Sequence, residues 1–538
     1  MIGRGLVEVA SRIYNHKSVH WYLMKKSLLK STFTFSFMTV ISRITGLLRD
    51  MVFAYYFGAT AGMDAFNVAY RIPNFLRGLF AEGAFSQAFV PVLSEYRQKR
   101  SEEEVKFFLN HVAGIMLLVL FVFTVIAILI TPYIVYVFAP GFINDPTRLG
   151  LTTAMLRITF PYILFISLTA YVSGILNTYG KFGVPAFAPN LLNLALIVAV
   201  VFMAPYFAEP TKALAWGIFI GGAAQLLFQL PFLYKLKLMP RPSILWRDAG
   251  VVRVLKLMMP AMFGVSVTQI SVLVDNLLAT FLPIGSVSWL GYSSHLTLFP
   301  LGVFGVAIAT VVLPYLSRKY ASQSHKEFSH ALDWALKFVL VIAIPAVIGI
   351  VMLAGPIVMT LFQLKKGAFS EFDVLMVRRS LWGFAAGIPA FMLVKVLASG
   401  FYSRQNIKTP VKIAVKAVLS NIVLAAILVF PLKHAGLAFA TSLTSLLNAG
   451  LLFWTIRRDK HYHPGSGWKI FWLRLVFANI VLVLFLWFSA ADLVMWFSWS
   501  SFVRVWHLAI LCIGAVLLYF LCLWISGMKW QDFVFQEK

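Results

Sequence analysis

Ser42-Arg43-Ile44-Thr45-Gly46-Leu47-Leu48-Arg49-Asp50 sets three full charges inside an apolar run that extends from about residue 30 to residue 57. A run of that length crosses roughly 30 Å of hydrocarbon as a helix. The next run, 62–92, carries Asp64, Arg71, Arg77 and Glu82 in otherwise apolar sequence. A charge at the bilayer centre costs about 2.5 to 3.5 kcal/mol on insertion scales, so such groups face a protein interior or trapped water and mark function. At 100° per residue Arg43 and Asp50 share a face, as do Asp64 and Arg71, while Pro73 bends the second helix before Arg77.

Working outward, further runs fall near 108–135, 150–178, 184–205, 212–234, 253–282, 287–317, 331–361, 375–402, 411–431, 434–456, 470–489 and 502–526. The expectation is an all-α polytopic membrane protein of about 14 transmembrane helices. Composition agrees: 60% hydrophobic, 12% charged, with mean hydropathy +0.84, beyond what a soluble core of this length reaches. The net charge of +26 does not point to nucleic acid. About 22 of the Lys and Arg lie in the alternate loops 95–106, 179–183, 234–256, 318–330, 403–416 and 457–469. That asymmetry predicts both termini in the cytoplasm.

Ala84-Phe85-Ser86-Gln87-Ala88-Phe89-Val90-Pro91-Val92-Leu93-Ser94 is echoed by Ala307-Ile308-Ala309-Thr310-Val311-Val312-Leu313-Pro314-Tyr315-Leu316-Ser317, and nearly the same offset pairs Asp50 with Asp275. Two six-helix repeats in parallel orientation follow, with a cavity between them and a C-terminal helix pair beyond. The segments are 24–240, 241–460 and 461–538. Residues 1–23 lack a signal-peptide pattern and read as a dispensable extension ahead of Met24-Lys25-Lys26.

Arginine stays charged when desolvated, and its planar fork takes phosphate oxygens in pairs. Four Arg against three acids leave the first two spans net positive, suited to an anion such as a diphosphate. The bland alternative has the acids pairing with Arg71 and Arg77 only to hold two helices together. Arg157 and Lys395 read as snorkelling side chains. Asp275, with no cation beside it in sequence, is open to three readings: neutral, paired across helices, or a site for H⁺ or Na⁺ coupling. His295 can titrate near neutrality. Cys512 and Cys522, ten residues apart on one span, lie too far apart to bridge, and neither a metal site nor a cofactor is expected.

The motifs Ser42-Arg43 to Arg49-Asp50, Asp64-Ala65-Phe66, Pro73-Asn74 to Arg77, and Phe80-Ala81-Glu82-Gly83-Ala84 through Pro91 closely resemble the MurJ (MviN) lipid II flippase family. So do Phe160-Pro161-Tyr162, Pro185 to Pro189, Gly264-Val265-Ser266, Lys395-Val396-Leu397, Phe401 to Gln405 and Lys408 to Lys412. The resemblance runs from about residue 24 to the C-terminus. It implies a fold of the multidrug/oligosaccharidyl-lipid/polysaccharide exporter superfamily in the bacterial inner membrane, with the last helix pair forming a groove for a lipid tail. It further implies transport of lipid II from the cytoplasmic to the periplasmic leaflet, in the setting of peptidoglycan synthesis and with other cell-wall synthesis proteins and membrane lipids as partners. By carry-over, Arg43, Arg49 and Arg77 would bind the diphosphate or head group, with Asp50, Asp64 and Glu82 as gate or positioning groups; Arg71 and His295 complete the candidate binding set. One departure stands out: many relatives have an Asp-Arg pair in the eighth span where this chain has Ser294-His295. Either protonated His295 substitutes or Arg71 compensates from the second span.

Alternating access follows, without covalent chemistry. No Gly-x-x-x-x-Gly-Lys-Ser/Thr loop for ATP is present, so the energy would come from membrane potential, an ion gradient or consumption of product. Rival readings are an exporter of drugs or another polyprenyl-linked glycan, a membrane enzyme acting on polyprenyl diphosphates, and a non-transporting scaffold. The arginine excess disfavours a drug exporter. The only acidic run, Glu102 to Glu104, lies in a loop where Mg²⁺-dependent chemistry in the membrane would not place it.

Overall fold

The computed structural model describes residues 37–78 and 83–529. Glu82, the extension 1–23 and the last residues of the chain lie outside the described residues. The first half contains α1 (37–57), α2 (Ala61–Arg77), α3 (Ala84–Lys99), α4 (Glu102–Leu129), α5 (Thr131–Phe138), α6 (Pro146–Thr159), α7 (Pro161–Thr178), α8 (Gly183–Val198) and α9 (Lys212–Lys235). The second half contains α10 (Ala249–Thr280), α11 (Ser286–Pro300), α12 (Val306–Ala321), α13 (His325–Met352) and α14 (Ala354–Phe362). It continues through α15 (Glu371–Ala385), α16 (Ile388–Tyr402) and α17 (Lys408–Arg458). Last come α18 (Trp468–Ser489), α19 (Leu493–Ser498) and α20 (Ser501–Ile525).

Local chemistry sets the boundaries. Ser101 opens α4 with a capping box: its Oγ accepts from the Glu104 N–H, and the Glu104 carboxylate accepts from the Ser101 N–H. Ser370 and Asp373 repeat the device at α15. Asp145 caps α6 ahead of Pro146; the Arg148 backbone N–H and guanidinium hold its carboxyl below the usual carboxylate range. α17 is two helices that meet at Pro431 and at Lys433, where φ is 51°. They are the expected spans 411–431 and 434–456.

Among the described residues nine helical segments are long and apolar enough to cross a membrane, α17 counted once. Helices α1, α2 and α3, α10, and α11 and α12 fall on the expected runs near 30–57, 62–92, 253–282 and 287–317. A π-helical turn, Leu301–Gly305, separates α11 from α12. Residues 78 and 83, between α2 and α3, are also π-helical. The two stretches that echo one another in sequence thus each begin a helix just after a π-helical residue.

Apolar contacts hold the bundle. One cluster joins Phe89, Phe108, Tyr171 and Leu176 to Val251 and Val254, so the start of α10 packs on the first half. Another joins Leu316, Leu332, Val396 and Ile456 within the second half. α18 packs on α20 and on α13. Asp333 of α13 fastens the turn before α18, accepting from Tyr462 Oη and Trp468 Nε1, each at 2.7 Å, and pairing with Lys337. The faces left outside are apolar, for example Leu473, Trp487 and Trp524, as a lipid-facing surface requires.

Candidate functional site

α1 arrives at the centre of the molecule with Asp50 buried and Arg49 beside it. Arg49 Nη2 and Nε donate to Asp50 Oδ1 at 2.7 and 3.0 Å. The other oxygen, Oδ2, meets His295 Nδ1 of α11 at 2.6 Å. One carboxylate thus joins the two halves, with a separate partner on each oxygen. Arg49 is held from a third side by Asn193 of α8, whose Oδ1 accepts from Nη1 at 3.1 Å. The same Asn193 amide donates to Thr45 Oγ1 at 3.1 Å, and Thr45 donates to Asn190 Oδ1 at 3.0 Å.

These groups face a cavity of about 930 Å³ whose walls include Arg43, Arg49, Asp50, Arg77, Asn193 and His295. A smaller compartment of about 220 Å³ shares Arg49, Asp50, Arg77 and His295 and adds Arg71. Arg43 rests on bare backbone: a Cβ at Gly302 would lie 2.3 Å from its Nη2. Among the described residues Arg43 forms no ion pair. Arg77 Nε donates to Asn74 Oδ1 at 2.9 Å. Among the described lining residues, Arg43, Arg49 and Arg77 outnumber Asp50, an excess of positive charge.

Asp64 lies elsewhere, fully buried at the junction of α2 with α11. Its Oδ2 accepts from the Gly285 N–H at 2.7 Å, and its Oδ1 from the N–H and Oγ of Ser288 at 2.9 and 2.6 Å. A residue of one half therefore caps a helix of the other, where the free N–H groups and helix dipole favour a carboxylate. Asn67 donates to Ser288 Oγ, Tyr292 Oη to Gly58 O, Ala368 N to Tyr55 O, and Gly141 N to Thr280 Oγ1. These ties close one end of the cavity. Gly58 belongs to the seal: at φ +60° its absent Cβ would sit 2.6 Å from the Ala368 carbonyl oxygen. Gly58→Ala is expected to cost about 1–2 kcal/mol through the left-handed backbone alone, read as a lowered melting temperature of the detergent-solubilised protein.

Of the acids that could pair with Arg71 and Arg77, Asp50 pairs with its neighbour Arg49, and Asp64 accepts from the backbone N–H groups of Gly285 and Ser288 and from the Ser288 hydroxyl; Glu82 lies outside the described residues. Arg71 instead lies within electrostatic reach of Asp275. Asp275 is paired across helices, accepting from Asn421 Nδ2 at 2.9 Å and Thr441 Oγ1 at 3.0 Å. It stands apart from the cavity. Asn190, Asn193, Asn67 and Ser288 escaped the sequence reading; the one signal for the first two was a pair of amides three residues apart in the apolar 184–205 run. Cys512 is exposed, Cys522 is buried, and both are free thiols.

An all-helical, lipid-faced bundle with a cationic cavity between its halves, sealed at one end, defines a multi-span membrane transporter. Its fold is shared by a multidrug resistance MATE family transporter of the MOP superfamily in an inward-facing conformation, with TM-score 0.66 and 16% identity over 78% of this chain and 95% of that one. Similarity is greater to a solved lipid II flippase MurJ in an inward closed conformation, with TM-score 0.77 and 29% identity over 91% of this chain and 98% of that one. The family profile of lipid II flippase MurJ matches residues 53–507. A probable lipid II flippase MurJ of Vibrio cholerae is 42% identical over 516 residues, 95% of this chain and 98% of its own length. That of Haemophilus influenzae is 41% identical over 505 residues, 91% and 98%, and the lipid II flippase MurJ of Burkholderia cenocepacia is 39% identical over 516 residues, 94% and 99%. The chain belongs to the bacterial lipid II flippase MurJ family.

Proposed function

We propose that this chain moves lipid II, the undecaprenyl-diphosphate-linked peptidoglycan precursor, from the cytoplasmic to the periplasmic leaflet of the inner membrane by alternating access. The observation that supports this reading is the cavity between the halves, lined among the described residues by Arg43, Arg49, Arg77 and Asp50 and closed at one end by hydrogen bonds. With both termini cytoplasmic, the sealed end is periplasmic and the cavity is reached from the cytoplasmic side. Arg43, Arg77 and Arg49 receive the diphosphate, Arg71 and His295 meet the head group in the deeper compartment, and the C-terminal helix pair guides the tail. Asp50 positions Arg49 and latches to His295. Asp64 holds the periplasmic gate, and Glu82 is assigned to the same gating set.

No bond is made or broken in the cargo, so the chain acts as a transporter without catalysis. A charged cavity moving an anion responds to membrane potential at about 2.3 kcal/mol per charge per 100 mV. Asp275, held by Asn421 and Thr441 and facing Arg71's field, is the group through which a proton or sodium gradient would bias the halves. Other cell-wall synthesis proteins are the expected partners.

The test is growth of cells depleted of their own lipid II flippase. A variant with Arg43→Gln, Arg49→Gln and Arg77→Gln, expressed at the normal level, is expected to fail and to let lipid II accumulate. Growth supported by that variant would overturn the assignment.

A further inference from the structure

A second feature of the first half is an apolar crevice of about 140 Å³ enclosed by α3, α4, α7 and the start of α10. Its walls include Val112, Met116, Leu120, Val254, Leu255 and Met258. Val119 and Leu255 on its rim are 47% and 38% exposed, so it opens outward.

The segment that joins the two halves, 236–248, is strapped across α4 beside this crevice. Ser243 N donates to Asn110 O at 3.1 Å, and Arg241 N donates to Asn110 Oδ1 at 2.7 Å. At Gly114 a Cβ would lie 2.1 Å from the Ser243 carbonyl oxygen, so the two backbones touch. Ile115 and Met116, the next residues of α4, belong to the crevice wall. The strap therefore sits at the crevice mouth.

Its chemistry is amphipathic. Ile244, Leu245 and Trp246 stand exposed in succession, a pattern of an interfacial anchor. Residues 235–256 carry six Lys and Arg and one acid, Asp248. That acid is occupied as the cap of α10, accepting from Val251 N, and Arg253 is committed to Glu95. Arg241, Arg247 and Lys256 form no ion pair among the described residues. On the crevice wall Ser167, wholly buried, has an Oγ with no hydrogen-bond partner.

We propose that the crevice and its basic strap bind an anionic diacyl phospholipid of the surrounding bilayer. The phosphate meets Arg241, Arg247 and Lys256, an ester carbonyl accepts from Ser167 Oγ, and the acyl chain enters the crevice. Each part answers a separate observation: free cations, an orphaned hydroxyl and an apolar hollow. A polyprenyl diphosphate offers the charge and the hydrocarbon but no ester carbonyl for Ser167. Because the strap and the start of α10 join the two halves, a lipid here would pin α10 to the first half. The site is independent of the central cavity and of the cargo assigned to it.

The test uses the full chain in phosphatidylcholine nanodiscs that contain a minor fraction of phosphatidylglycerol with a diazirine on its acyl chain. Cross-linked positions are read by peptide mass spectrometry. Labelling is expected to concentrate in 112–123 and 251–258. It is expected to fall about fivefold for each charge removed by Arg241→Gln, Arg247→Gln and Lys256→Gln. Val119→Trp, which fills the mouth, lowers it; Ser167→Ala lowers it and Ser167→Thr restores it. Labelling of α20 stays constant throughout and reports an intact fold. Three results would overturn the site: even labelling over all lipid-facing helices, equal labelling by a diazirine phosphatidylcholine, or stronger labelling there by a diazirine polyprenyl phosphate.

Discussion

Asp64→Ala is expected to unlatch the sealed end of the cavity. The carboxylate accepts three hydrogen bonds from the start of α11, two of them from backbone N–H groups that no nearby side chain replaces. Leaving a buried donor unsatisfied costs about 1–3 kcal/mol. Two such donors, about 2–6 kcal/mol together, shift the balance between closed and open ends by about thirtyfold to about ten-thousandfold. The measurement is labelling of a cavity cysteine, Leu47→Cys in a background with Cys512 and Cys522 replaced by serine, by an impermeant maleimide added outside whole cells. Labelling should rise in Asp64→Ala and rise less in Asp64→Asn, which keeps one acceptor oxygen. Unchanged labelling in both variants would show that Asp64 is not a latch.

The second large effect is at Arg49 and Asp50. Their side chains are 15% and 7% exposed, so the pair is buried enough that removing one member strands the other. Breaking such a pair costs about 3–5 kcal/mol, whereas replacing both members together is often close to neutral. Arg49→Gln is therefore expected to lower the melting temperature markedly, and Arg49→Gln with Asp50→Asn to recover most of the loss. Recovery of stability without recovery of growth is the expected result, because the double variant still lacks the cavity cation. If the double variant regains growth together with stability, Arg49 serves only the fold.

These expectations show what kind of information a linear sequence carries. Arg43, Arg49 and Arg77 were legible because full charges are rare in apolar spans, and each announces itself without its partner. Asp64 was legible as a charge but not as a cap, since its partners are backbone groups of Gly285 and Ser288, more than two hundred residues away. Asn193, which fixes Arg49, is a neutral amide of a kind common in membrane helices. Asp275 looked solitary because its neighbours Arg71, Asn421 and Thr441 come from α2 and α17. Breaks inside a run were not legible: α11 and α12 read as one run, yet a π-helical turn divides them. The break at Lys433, by contrast, falls where the expected runs 411–431 and 434–456 part.

The ties at the two ends of the molecule differ in kind. Around Asp64 they are short, buried bonds to backbone and hydroxyl groups, which dissolved ions cannot reach. Between α3 and α10 the polar tie, added to their apolar packing, is Glu95 to Arg253 at 2.8 Å, with side chains 35% and 52% exposed. The screening length shrinks from about 10 Å at 0.1 M salt to about 3 Å at 1 M, which weakens an exposed pair of this sort and leaves the buried one untouched. Ionic strength is then a handle that acts on one end of the molecule and not on the other.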